Sequence, residues 1–172
     1  MFSDLFTRRM FASKLAALFP GLGLATALPS SVSAEPSAGK EQKGGVQKLN
    51  IDGKPADPNS FITPLIIHNG VIYIAGIGAH SHNKAEIPMD IENHTKSVME
   101  SVKTVIETGG GTMDSILQLT VYLAKIDDYD GMNKVFKTYF PHGGPARTTV
   151  AVAALPGNSL VEINCTAAVT RK

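Results

Sequence analysis

Two apolar, largely β-branched runs, Phe61 to Ile67 and Val71 to Ala75, flank His68-Asn69-Gly70. Asn-Gly readily takes the left-handed backbone that a two-residue hairpin turn needs, with a twist that suits the strands it joins. The rest of the chain must therefore be built onto an antiparallel pair. Pro64 has no N–H to give to a ladder, so the first run belongs at a sheet edge or a bulge. Upstream, Val46 to Ile51 alternates polar and apolar residues as a short strand does. Asp52-Gly53 ends that strand, and Pro55 and Pro58 make Lys54 to Asn59 a loop.

Gly76 to Ala85 reads as a Gly- and His-bearing loop, and beyond it the apolar spacing becomes helical. Ile91, Val98, Val102, Val105 and Ile106 share one face, with Lys96, Glu100, Lys103 and Glu107 on others. Asp90 is a natural N-cap, although Asn93 stands where a capping box would place Glu or Gln. Gly109-Gly110-Gly111 stops the helix. Ile116 to Ile126 is strand-like. Asp127, Asp128 and Asp130 then open a second helix that carries Met132, Val135, Phe136 and Tyr139 on one side. A Gly/Pro loop at 141–145 leads to a strand over Ala146 to Ala153, a turn over Leu155 to Ser159, and a last strand over Leu160 to Thr170. Two helices between strands, with hairpins at both ends, predict the α+β class: a mixed sheet with both helices on one face. The uncovered face needs a partner, which points to oligomerisation.

The N-terminus follows a different logic. Arg8-Arg9 precedes Phe11, Leu15 to Leu28 is apolar but broken by Pro20, Gly21 and Gly23, and Val32-Ser33-Ala34 offers small residues for cleavage. This is the layout of an export signal over residues 1–34, with paired arginines of the twin-arginine type, and it predicts a periplasmic or secreted protein. Residues 35–45 are rich in Ser, Gly, Lys and Glu and read as a linker. A single folded domain is expected over residues 46–172. No apolar run reaches the roughly 18 to 20 residues of a committed span, so no stable membrane insertion is expected once the signal is removed. Sixteen Lys and Arg against 15 Asp and Glu leave a net charge of +1. That is too few surplus cations for a nucleic-acid partner. The single cysteine excludes an intrachain disulfide framework, and Cys165, in the last strand, is expected to be buried and inert.

Arg147 is the first candidate for chemistry. It opens an apolar strand behind Gly143-Gly144-Pro145, where its planar fork can meet an anionic group, bidentate if that group is a carboxylate. The bland alternative is a surface arginine at a strand end. Glu162 stands between Val161 and Ile163 and so faces the opposite side of its strand from both. In a cleft it is a candidate acid or base, and on a solvent face it is ordinary. His80-Ser81-His82 lacks the further ligands of a metal site. Gly76-Ile77-Gly78 lacks the third glycine and the acidic partner of a dinucleotide fingerprint.

Together, Pro145-Ala146-Arg147-Thr148-Thr149-Val150, Ala153-Ala154-Leu155-Pro156 and Leu160-Val161-Glu162-Ile163 resemble the signature of the Rid family, the YjgF-like reactive intermediate deaminases. Tyr73-Ile74-Ala75-Gly76, the stretch ending at Asp114, and Met132-Asn133 are similar as well. The resemblance implies a chorismate-mutase-like fold and a homotrimer with clefts between subunits. It implies hydrolytic deamination of 2-imino and 2-enamino acids to 2-keto acids, with no cofactor and no metal. It assigns the substrate carboxylate to Arg147 and the attacking water to Glu162, helped by the backbone at Thr149. Gly76 lines the cleft, and Asn133 matches a nearby asparagine. The family's pocket tyrosine falls near Phe61 or Ile62, its serine is Ala75, and its cysteine is Thr149, so the pocket is less polar or differently shaped here. The rival expectation is a non-catalytic trimer that binds small carboxylates or acts as a holdase-like interaction protein.

Overall fold

The computed structural model describes residues 45–79 and 87–170. The proposed export signal, nearly all of the linker, and His80 and His82 lie outside the described residues. Among the described residues no helix is long and apolar enough to cross a membrane.

Six strands form one sheet: β1 (Gln47–Leu49), β2 (Leu65–His68), β3 (Val71–Gly78), β4 (Ile116–Leu123), β5 (Ala146–Ala151) and β6 (Val161–Ala168), in the order β1-β2-β3-β6-β4-β5. Helix α1 (Ile91–Thr108) and helix α2 (Tyr129–Phe136) cover one face. All neighbours are antiparallel except β4 and β5, which run parallel and are joined through α2. The α+β class with a mixed sheet is therefore what forms.

The Asn-Gly hairpin is present. Asn69 and Gly70 have φ of 50° and 75°, the pair of left-handed residues that this turn requires. The first strand is shorter than its apolar run, because the ladder begins only after Pro64. Phe61 lies outside it and is 96% exposed. Strand β3 runs three residues further than expected, through Gly76 to Gly78. Its register against β6 shifts between Ile74 and Ile77, a bulge that glycine accommodates. Strand β4 ends at Leu123, and Ile126–Asp128 instead makes a 3₁₀ turn leading into α2.

The C-terminal hairpin is not formed. Strand β6 passes β5 and β4 and inserts between β4 and β3. The connection crosses the end of β4, held by Val152 N–H to Leu123 O (2.9 Å) and Ala124 N–H to Leu160 O (3.0 Å). Burial explains the placement. Val161, Ile163, Cys165 and Ala167 all point into the helix-covered core, so β6 gains most at the sheet's centre. Strand β5, whose residues are at most half-buried, takes the edge.

Helix α1 is closed at both ends by local bonds. The Asp90 carboxylate accepts from the Asn93 N–H (2.9 Å) and from the Asn93 side-chain amide (2.7 Å), so Asn93 supports the cap by a route other than the box. At the far end Gly111 N–H bonds Ile106 O and Gly110 N–H bonds Glu107 O, with Gly110 at φ 85°, which is the Schellman arrangement. His94 points inward from this helix and accepts the Leu160 N–H at 3.1 Å, tying α1 to the start of β6.

The uncovered face is more polar than the apolar reading of it suggested. Gln118, Thr120, Glu162, Asn164 and Thr166 alternate with the buried residues of β4 and β6, beside Tyr73 on β3. Tyr73, Leu117 and Val150 are its exposed large hydrophobic residues.

Candidate functional site

Register decides where the candidate residues point. Arg147 pairs with Leu119, which is buried under the helices, so Arg147 faces the helix side of the edge strand. Glu162 pairs with Tyr122 on β4 and with Gly78 on β3, on the open side of the sheet. Two strand spacings and three residues of offset separate the two, about 14 Å between Cα atoms. Thr149, two residues beyond Arg147, shares its side. One chain therefore does not bring Arg147 and Glu162 together.

On the helix side, the Arg147 guanidinium lies 4.6 Å from the Phe136 ring centre and 5.9 Å from that of Tyr129. Its Nη2 donates to the Tyr129 hydroxyl at 3.4 Å. Phe136 is braced by Phe140 at 4.8 Å between ring centres. Tyr129, Asn133 and Phe136 recur at i, i+4 and i+7 on α2, so Asn133 belongs to the helix face that meets the arginine. Among the described residues no carboxylate lies within ion-pair distance of Arg147. Aromatic faces hold the cation in place without neutralising it. The Thr149 hydroxyl nearby is buried and has no partner among the described residues.

On the open side, the Glu162 side chain lies across Gly76. A Cβ at position 76 would overlap the Glu162 Oε1 and stand 3.0 Å from its Cδ. Gly76 is thus required for a close approach, although its backbone is ordinary strand. These two residues form the second cluster.

Other groups are less available. Burial pushes the Cys165 thiol up to about 12, which leaves it protonated and unreactive at neutral pH. Burial, and then the 2.7 Å bond to a Glu100 carboxylate oxygen, hold the Tyr139 phenol well above its usual range. Sequence reasoning missed two residues, Tyr129 as a cradle for Arg147 and His94 as a core acceptor. The i, i+7 spacing of Tyr129 and Phe136 was a signal for the first, and nothing local signalled the second.

The family model described as endoribonuclease L-PSP matches residues 54–169, more than half of the chain. The chain belongs to the endoribonuclease L-PSP family. A RutC family protein of Pyrococcus horikoshii is 37% identical over 78 residues, 45% of this chain and 62% of that protein. The chloroplastic Reactive Intermediate Deaminase A of Arabidopsis thaliana is 30% identical over 100 residues, 58% of this chain and 54% of that protein. The matched part thus spans less than two thirds of the length of these relatives. Among solved L-PSP structures, one from Entamoeba histolytica superposes with a TM-score of 0.65 at 30% identity, covering 72% of this chain and 99% of that one. A conserved Rid-family protein from Yersinia pestis gives 0.63 at 29% identity, covering 73% and 100%. The Rid resemblance and the fold are supported together.

Proposed function

We propose that this chain hydrolyses reactive 2-imino and 2-enamino acids to 2-keto acids and ammonia, in a cleft where Arg147 of one copy faces Glu162 of the next in a homotrimer. The observation that carries this reading is the Arg147 guanidinium, fixed by two aromatic rings and without an anion partner among the described residues. A substrate carboxylate supplies that anion and can be bound by both arms of the fork. Glu162, pressed against the side-chain-free Gly76, holds a water. Thr149 lends backbone groups on the free edge of β5, and Asn133 an amide on α2. The name of the Arabidopsis relative supports the reaction class.

Oriented water adds its oxygen to C2 of the protonated imine, one proton passes to Glu162, and the C=N electron pair goes to nitrogen. Glu162 returns its proton to the carbinolamine nitrogen, ammonia leaves as the C=O forms, and the hydroxyl proton passes to the Glu162 carboxylate and then to solvent. An enamine first takes a proton at C3 to become the imine. We also propose that residues 1–34 direct export.

The test is ammonia release from imines made in situ by an amino-acid oxidase, with the full chain present or absent. Acceleration that disappears in Glu162→Gln supports the reading. No acceleration, with 2-keto acids still bound, favours the carboxylate-binding alternative.

A further inference from the structure

We infer that the substrate of this chain carries a bulky apolar side chain, branched aliphatic or aromatic, and that a cavity beside Gly76 receives it; the inference rests on the imine-hydrolysis reading. The cavity has a volume of about 300 Å³ and lies between β3, helix α1 and the loop before β2. That is the lower end of the range for pockets that hold small ligands, about 300 to 1,000 Å³.

Its position ties it to the reacting groups. Gly76, which carries the Glu162 carboxylate over its Cα, is also part of the cavity wall. Strand β3 outruns β2 here: their pairing stops at Ile74, so Gly76 to Gly78 present an open outer edge. With no side chain on Gly76 or Gly78, only backbone separates the carboxylate from the cavity. A substrate whose C2 stands beside Glu162 would reach the cavity by passing its side chain over this open outer edge of β3.

The chemistry of the walls decides what fits. Ile51, Ile62, Pro64, Ala75, Ile77 and Val105 contribute hydrocarbon. The two hydroxyls in the lining are already used. Ser101 donates to Ser97 O at 3.0 Å, and Thr104 donates to Glu100 O at 3.0 Å. Among the described residues no charged side chain lines the cavity. Ile62 and Ile51 at the margin are 56% and 44% exposed, so among the described residues nothing covers this apolar surface. A small imine such as 2-aminoacrylate leaves the cavity unfilled. A leucine- or phenylalanine-like side chain fills it and removes both surfaces from water.

The experiment measures binding and turnover separately on the full chain. Pyruvate and 4-methyl-2-oxopentanoate are titrated by calorimetry, and ammonia release is followed from the imines of alanine and leucine. The larger keto acid should bind at least about 10-fold more tightly, since each methylene in an apolar pocket is worth about 10-fold or more. Thr104→Phe, which fills the cavity from an exposed helix position, should erase that preference and leave pyruvate binding unchanged. Ile62→Ser, on the exposed loop, should reduce it several-fold and serves if the helix variant fails to fold. Equal binding of the two acids, binding of neither, or a preference untouched by both variants overturns the inference. Selective binding without turnover of any imine overturns the deaminase reading and leaves the cavity assignment standing.

Discussion

Arg147 and Gly76 make opposite demands on substitution. The arginine is useful for its charge and its plane, so Arg147→Ala should weaken binding of small 2-keto carboxylates about 30-fold or more, the range for truncating one partner of a charge pair. Arg147→Lys should restore only part of it, because an ammonium neither stacks on Phe136 nor grips both carboxylate oxygens. Calorimetry on the three proteins checks this, and equal affinities would remove Arg147 from the site. Gly76 matters for what it lacks. Gly76→Ala places a methyl group on the Glu162 Oε1, so turnover should fall about 100-fold, the scale set by a 1 Å displacement of a reacting group. Binding of 2-keto acids should change much less, and circular dichroism should show an intact fold. Both residues could be singled out from sequence, Arg147 by its motif and Gly76 through the family resemblance. The reason for Gly76 was not legible, because it depends on a side chain 86 positions away reaching over it.

Helix α1 was readable almost residue by residue, and its ends give a direct test. The Asp90 carboxylate is held below its usual range chiefly by the Asn93 N–H, then by the Asn93 amide. Its folded-state pKa is depressed, so the cap is in force above the unfolded value of 3.8 and is lost as pH falls through the lower folded value. Asp90→Ala should lower Tm by roughly 2–5 °C at pH 7 and by less near pH 3, whereas Asp90→Ser should stay close to wild type. Strand placement was less readable. Pro64 shortened its strand for a reason visible in sequence. Gly76, by contrast, looked like a loop residue and proved to be a bulge inside β3. The apparent hairpin of the last two strands failed because local turn signals cannot see that β6 has the more buried face and belongs at the sheet's centre.

For the whole molecule, the expected convergence of Arg147 and Glu162 was legible only as family likeness. Sequence distance says nothing about which side of a sheet each residue takes, and here they take opposite sides. If neighbouring copies complete each site, Arg147→Ala and Glu162→Gln chains, each inactive alone, should regain about one quarter of wild-type ammonia release when unfolded and refolded together in equal amounts, as random association predicts. No recovery would show that Arg147 and Glu162 do not share a site across copies. Replacing Arg8 and Arg9 with Lys should leave the precursor in the cytoplasm, and unchanged export would refute the twin-arginine proposal. In alkaline solution the unfolded chain loses the Cys165 proton above pH 9.0 while the folded chain keeps it to about 12, so stability should decline across that interval. A Cys165→Ala variant should decline less steeply in urea titrations.

If Arg147 on the β5 edge and Glu162 of another copy complete each site, association sets a lower limit on how sparse this protein can be and still work. A chain whose Arg147 and Glu162 look away from each other would then hold by itself only half of each catalytic pair. Its secondary structure should survive dilution unchanged, while activity per milligram should collapse once copies no longer find one another. Abundance would then act as the switch, with scattered molecules folded but silent and crowded ones active, without any ligand or modification.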